Sequence, residues 1–99
     1  MKKVFISQPM NGKTKAEILV ERDKAIKLCK KYLGEDIKVL DTLFEEEAPK
    51  GVNQGLWFLG KSIQMLSHAD YAFFCEGWEE TRGCVIEHDC AKKYNIHIV

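Results

Sequence analysis

An α/β fold is predicted: a four-stranded parallel sheet with helices on both faces, a three-layer sandwich. Two observations predict it. Short apolar runs at Lys2–Ile6, Ile37–Leu40, Asp70–Cys75 and Ile96–Val99 alternate with segments of helical spacing, and strict alternation of this kind gives a parallel sheet joined by right-handed crossovers. The chain has 99 residues, of which 45% are apolar and 30% charged, so it is one domain of ordinary folding composition.

The first strand, Lys2–Ile6, runs into a loop from Ser7 to Lys13 that holds Pro9 and an Asn11-Gly12 turn signal. Thr14-Lys15-Ala16-Glu17 then fits a capping box and starts the first helix. The helix has an apolar stripe at Ile18, Ala25, Ile26, Cys29 and Leu33, with Lys30 and Lys31 near its negative pole and Gly34 as its stop. Ile37–Leu40 is the second strand, and Asp41-Thr42 lies at its carboxyl end, the edge where ligands gather in such sheets.

Phe44 to Gly51 reads as loop, with Glu45-Glu46-Glu47 a solvated charge run. From Asn53 to Ser67 the positions Leu56, Leu59, Ile63 and Leu66 recur at helical spacing; Trp57 and Phe58 fall off that stripe, as core padding or as cover for a ligand or partner. The third strand, Asp70–Cys75, gives way to Gly77 and a polar cluster, and a third helix spans about Arg82–Tyr94 before the last strand. A sheet this small leaves apolar surface uncovered, so a homo-oligomer, dimer or larger, is expected.

Fifteen basic and fifteen acidic side chains cancel. That removes the electrostatic reason to expect nucleic-acid or anionic-membrane partners and favours a small molecule. The opening Met1-Lys2-Lys3-Val4-Phe5-Ile6-Ser7 has only a short apolar run after its lysines, far from a signal core or a membrane span, so a cytoplasmic protein is expected. Cys29, Cys75, Cys84 and Cys90 are expected as reduced core residues. Cys84 and His88 are four apart on one helix face, but Cys90 points elsewhere; no metal site and no cofactor are expected.

Two stretches carry candidate chemistry. Ser7-Gln8-Pro9-Met10-Asn11-Gly12-Lys13-Thr14 matches the phosphate-loop pattern G-x-x-x-x-G-K-[ST] except that Ser7 replaces the first glycine, and Pro9 lacks one of the amides such a loop needs. The expectation is a loop lining another kind of nucleotide site. The other stretch brings together Asp70, Trp78, Arg82 and Glu87. A carboxylate near a helix start is kept ionised by the helix dipole and suits a nucleophile, and a nearby arginine holds an anionic group.

Val4-Phe5-Ile6-Ser7-Gln8-Pro9-Met10, Ala69-Asp70 and Gly83-Cys84-Val85-Ile86-Glu87-His88-Asp89-Cys90-Ala91 resemble the nucleoside 2-deoxyribosyltransferase superfamily, specifically a small uncharacterised branch with M-N-G-K-T and G-W-x-x-x-R-G-C-x-I-E motifs. The resemblance covers nearly the whole chain. It implies a flavodoxin-like, Rossmann-like fold and cleavage or exchange of the N-glycosidic bond of 2′-deoxynucleosides or their 5′-monophosphates. Glu87 would attack the anomeric carbon in the two-step logic of retaining glycoside chemistry.

The implied catalytic residues are Glu87 and Asp70. Ser7 and Arg82 are implied to hold phosphate or sugar hydroxyls and Trp78 to stack on a base; Gln8, Pro9, Met10, Asp41 and Gly83 complete the substrate-binding set. Two positions depart from the superfamily pattern. Phe5 stands where characterised members carry a tyrosine, and Ser62 where they carry an aspartate, whose place Asp41, Glu76 or Asp70 would have to take. The alternatives are a catalytically silent nucleotide-binding module, and an assembly protein that uses Trp57, Phe58 and the acidic loop.

Overall fold

Apolar runs become strands and periodic segments become helices over residues 1–99 of the computed structural model. The order is β1 (Lys2–Ser7), α1 (Lys15–Leu33), β2 (Ile37–Val39), α2 (Gln54–Leu66), β3 (Tyr71–Phe74), α3 (Arg82–Lys93) and β4 (His97–Ile98). A single 3-10 turn, Trp78–Glu80, precedes α3.

The strands form one parallel sheet in the order β2-β1-β3-β4. Strand order therefore reverses at β1: the chain moves outward to β2, then returns across β1 to β3. With right-handed crossovers such a reversal puts α1 on one face and the later helices on the other. The predicted α/β three-layer architecture is the one observed.

Alternation along β1 sorts the core into two layers. Val4 and Ile6 pack with Ala25 and Cys29 of α1 and with Cys75, while Phe5 packs with Leu40, Leu66 of α2, Ala72 and Ala91 of α3. Burial pushes the Cys29 and Cys75 thiols up to about 11, which makes them packing groups rather than reactive ones. All four cysteines are unpaired.

The capping box at Thr14 is complete: its hydroxyl accepts from the Glu17 amide at 3.1 Å, and the Glu17 carboxylate accepts from the Thr14 amide at 2.9 Å. Charged Arg22 sits in the buried stripe of α1, where the apolar pattern does not place it. Its guanidinium donates to the Leu40 carbonyl at 2.9 Å and to the Thr42 hydroxyl at 3.2 Å, which anchors the end of β2.

Helix α2 differs from its neighbours. It is rich in large apolar residues, yet only Leu66 is buried and Leu56 is 66% exposed. No helix of the chain is long and apolar enough to cross a membrane.

Candidate functional site at the carboxyl edge of the sheet

Where strand order reverses, the connections leaving β1 and β3 part on opposite faces and open a crevice at the carboxyl ends of the strands. Ser7, the last residue of β1, shares a face with Phe5 and so points toward α2 and α3. On α3 the buried positions are Cys84, Glu87 and Ala91, the three- and four-residue spacing of a face turned to the sheet. The two patterns meet at one contact: the Ser7 hydroxyl donates to Glu87 Oε1 at 2.7 Å, out of solvent.

Glu87 is only 7% exposed. Burial raises its pKa, and the hydroxyls of Ser7 and of Ser62 on α2 pull it back toward ionisation. The helix dipole does not keep this carboxyl ionised, contrary to the expectation from its place near a helix start. Glu87 stands in the second turn of α3, beyond the reach of the helix end, and desolvation dominates. The Cys84 thiol reaches the same Ser7 hydroxyl and is also pushed up by burial.

Above this carboxylate lies a cleft of about 550 Å³, a size that suits a small organic ligand. Phe5, Ser7 and Ser62 line it beside Glu87, and Glu87 is the one carboxylate among its lining residues. The first turns of α2 and α3 form the mouth. Arg82 lies there over the start of α2, since a Cβ added at Gly55 would sit 3.6 Å from its Nη2. No carboxylate pairs with that guanidinium. Thr81 makes no side-chain cap on α3, so Arg82 and the positive end of that helix share one side of the mouth.

The structure brings Ser7, Gln8, Met10, Arg82, Gly83 and Glu87 of the predicted set to this cleft. Gln8 donates through Nε2 to the Ile18 carbonyl at 2.6 Å, and its buried Oε1 has no partner. Pro9 is buried behind the loop, near Gly77. Lys13, the lysine of the phosphate-loop pattern, is held by Glu21 at 2.9 Å, so the loop serves as a turn and helix cap.

Pro9 is not among the cleft-lining residues, and Asp70, Trp78 and Asp41 also stand elsewhere. Asp70 precedes β3 and so lies at the amino edge, where its carboxylate accepts from the Lys3 amide at 2.9 Å. Trp78 stacks on His88 at 4.1 Å and leans on Phe74 at 5.6 Å, away from the cleft lining. Asp41 closes a local turn with the Leu43 amide and lines a separate depression of about 750 Å³.

Sequence reasoning missed Asn53, Gly55 and Leu56 on the α2 side of the cleft, as well as Phe44 on the connection that leads to it; Thr42, expected at the ligand edge of β2, does line it. The Asn53 side chain caps α2 by accepting from the Leu56 amide at 3.0 Å; an asparagine before a periodic apolar segment is a readable signal for that junction. Of the pair Trp57 and Phe58, only Phe58 faces the cleft. No family model and no curated protein matches this chain.

Proposed function

We propose that this chain is a nucleoside 2-deoxyribosyltransferase-like protein that cleaves or transfers the N-glycosidic bond of 2′-deoxynucleosides or their 5′-monophosphates, with Glu87 as nucleophile. One observation carries the reading: a single buried carboxylate, oriented by Ser7 at 2.7 Å, forms the floor of a ligand-sized cleft at the point of strand reversal. A carboxylate that is desolvated yet hydrogen-bonded is a stronger nucleophile than one in water, and the cleft admits a sugar above it.

In the first step a Glu87 oxygen forms a bond to C1′ as the C1′–N bond breaks, and its electron pair leaves with the base. The departing base takes a proton from water in the open cleft. In the second step water, or the nitrogen of another base, attacks C1′; the ester C–O bond breaks, Glu87 is regenerated as the carboxylate, and the proton the attacker loses neutralises the hydroxide left by the first step. Ser7 and Ser62 provide the orientation that Phe5 lacks the hydroxyl to give. Arg82, unpaired at the mouth, takes a 5′-phosphate by charge-assisted hydrogen bonds.

A second reading, the silent nucleotide-binding module, is favoured by the same lining. Glu87 is its only acid, so no carboxylic acid stands ready to protonate a leaving base. A homo-oligomer is proposed from α2, whose exposed Leu56 and neighbouring apolar residues call for cover by a second copy. Four unpaired cysteines suit a cytoplasmic setting.

Chromatography of free base, released from a panel of deoxynucleosides and their monophosphates by wild type and Glu87→Gln, tests the proposal. The enzyme reading expects base with wild type alone. Base from neither protein, with a nucleotide still raising Tm, selects the binding module.

A further inference from the structure

The residues between β2 and α2 carry no regular secondary structure, an unusual length of plain connection for so small a domain and one that more often carries function than not. Its Phe44 side chain has two neighbours in space. It lines both the Glu87 cleft and the separate depression that holds Asp41, so it stands as a partition between the two. Met10 is the other residue common to both.

One side chain holds that partition. Lys61 of α2 pairs with Glu46, lies 5.3 Å from the centre of the Phe44 ring and 5.0 Å from that of Trp57. A second tie, Lys15 to Glu45 at 3.8 Å, joins two side chains at least 80% exposed and is screened by water. The Lys61 side chain is 25% exposed, so its contacts to the ring and the carboxylate carry the attachment.

We infer that Phe44, held by Lys61, sets the size of base that the cleft admits. This rests on the nucleotide reading of the site. With a phosphate at Arg82 and the anomeric carbon at Glu87, the base takes the remaining part of the cleft, whose lining includes Met10 and Phe44. Beyond Phe44 lies space with Ile18, Leu19 and Leu43 on its apolar side and Lys15, Asp41, Glu45 and Glu46 on its polar one; the apolar side can receive an aryl group once the ring is removed.

The test compares deoxyadenosine monophosphate with its analogue benzylated on the exocyclic amine, by calorimetry on wild type, Phe44→Ala and Lys61→Met. Wild type should prefer the unsubstituted nucleotide, and Phe44→Ala should shift the affinity ratio toward the benzyl analogue by about tenfold, as burial of an aryl ring allows. An unchanged ratio while both nucleotides bind overturns the inference.

A ligand-free arm separates this from the nucleotide reading. Cleavage after Glu45, Glu46 or Glu47 by a glutamate-specific protease should speed up in Lys61→Met by about fivefold, the loss of one partly buried ionic and ring contact; unchanged cleavage overturns the latch whatever binds. If no nucleotide binds wild type, the functional reading fails, and with it the assignment of the partition to a base. Faster cleavage in Lys61→Met would then support the latch alone.

Discussion

Two acids, Glu87 and Asp70, belong to opposite edges of the same sheet, and their surroundings differ in kind. At the amino edge each polar group is spent on local structure. Asp70 accepts from the Lys3 amide, the Lys2 ammonium donates to the carbonyl of Leu33, and the amino terminus reaches Asp36 at 3.9 Å. At the carboxyl edge the polar groups converge on the cleft: Glu87 is held by the Ser7 hydroxyl, Arg82 has no carboxylate partner, and Gln8 Oε1 has no donor. A buried acid that costs stability and faces a cleft marks a candidate site; an exposed acid that closes a strand end is a tie.

The largest test of that contrast is a pair of substitutions. Glu87→Gln should lower base release by more than about a thousandfold, the scale expected for loss of a covalent nucleophile, with nucleotide binding retained. Asp70→Ala should leave turnover within about twofold and cost about 1 kcal/mol of stability, one strand-end hydrogen bond, read by denaturant unfolding. Loss of turnover in Asp70→Ala would break the contrast between the edges.

Arg82→Ala comes next. It should weaken deoxynucleoside monophosphates about tenfold and the matching nucleosides hardly at all, the value of one solvent-accessible charge-assisted contact; titration calorimetry separates the two. Ser7→Ala should lower kcat by about tenfold with little change in KM, because it removes orientation rather than binding. It should also raise the Glu87 pKa further, so the acid limb of the kcat profile moves to higher pH.

The smallest effect is on stability, and its sign follows from burial. The folded-state pKa of Glu87 lies above its ordinary value, so the folded chain holds this proton more tightly than the unfolded one. Stability from this group is complete below the ordinary carboxylate pKa and is lost as pH rises through the folded-state value. Glu87→Gln should therefore melt higher than wild type at neutral pH, and the gap should close on acidification below about pH 4. A gap that widens on acidification would mean that the carboxylate is not buried at a cost.

Much of this was legible in residue order. Strand and helix bounds follow the apolar runs to within a residue or so, because each run packs on its own layer of the sheet. Ser7, Arg82, Gly83 and Glu87 could be placed at one edge because they end or follow strands. The same logic, applied to Asp70, puts it before its strand and so at the other edge.

Trp78 was not legible, since only the packed chain shows that His88, ten residues on, takes its ring face. Nor were Phe44 and Lys61: an irregular connection has no periodicity to fix its contacts, and a lysine beside two rings looks like any surface cation. Arg22 hid in a stripe that apolar spacing alone could not assign.

The most direct measurement is to trap the intermediate. A deoxynucleoside monophosphate with fluorine on C2′ slows breakdown of the sugar ester, and mass spectrometry of the digested protein then locates any adduct. The account predicts one sugar phosphate on the peptide that contains Glu87, absent from Glu87→Gln. An adduct on another residue, or base release by wild type with no adduct at all, would contradict it.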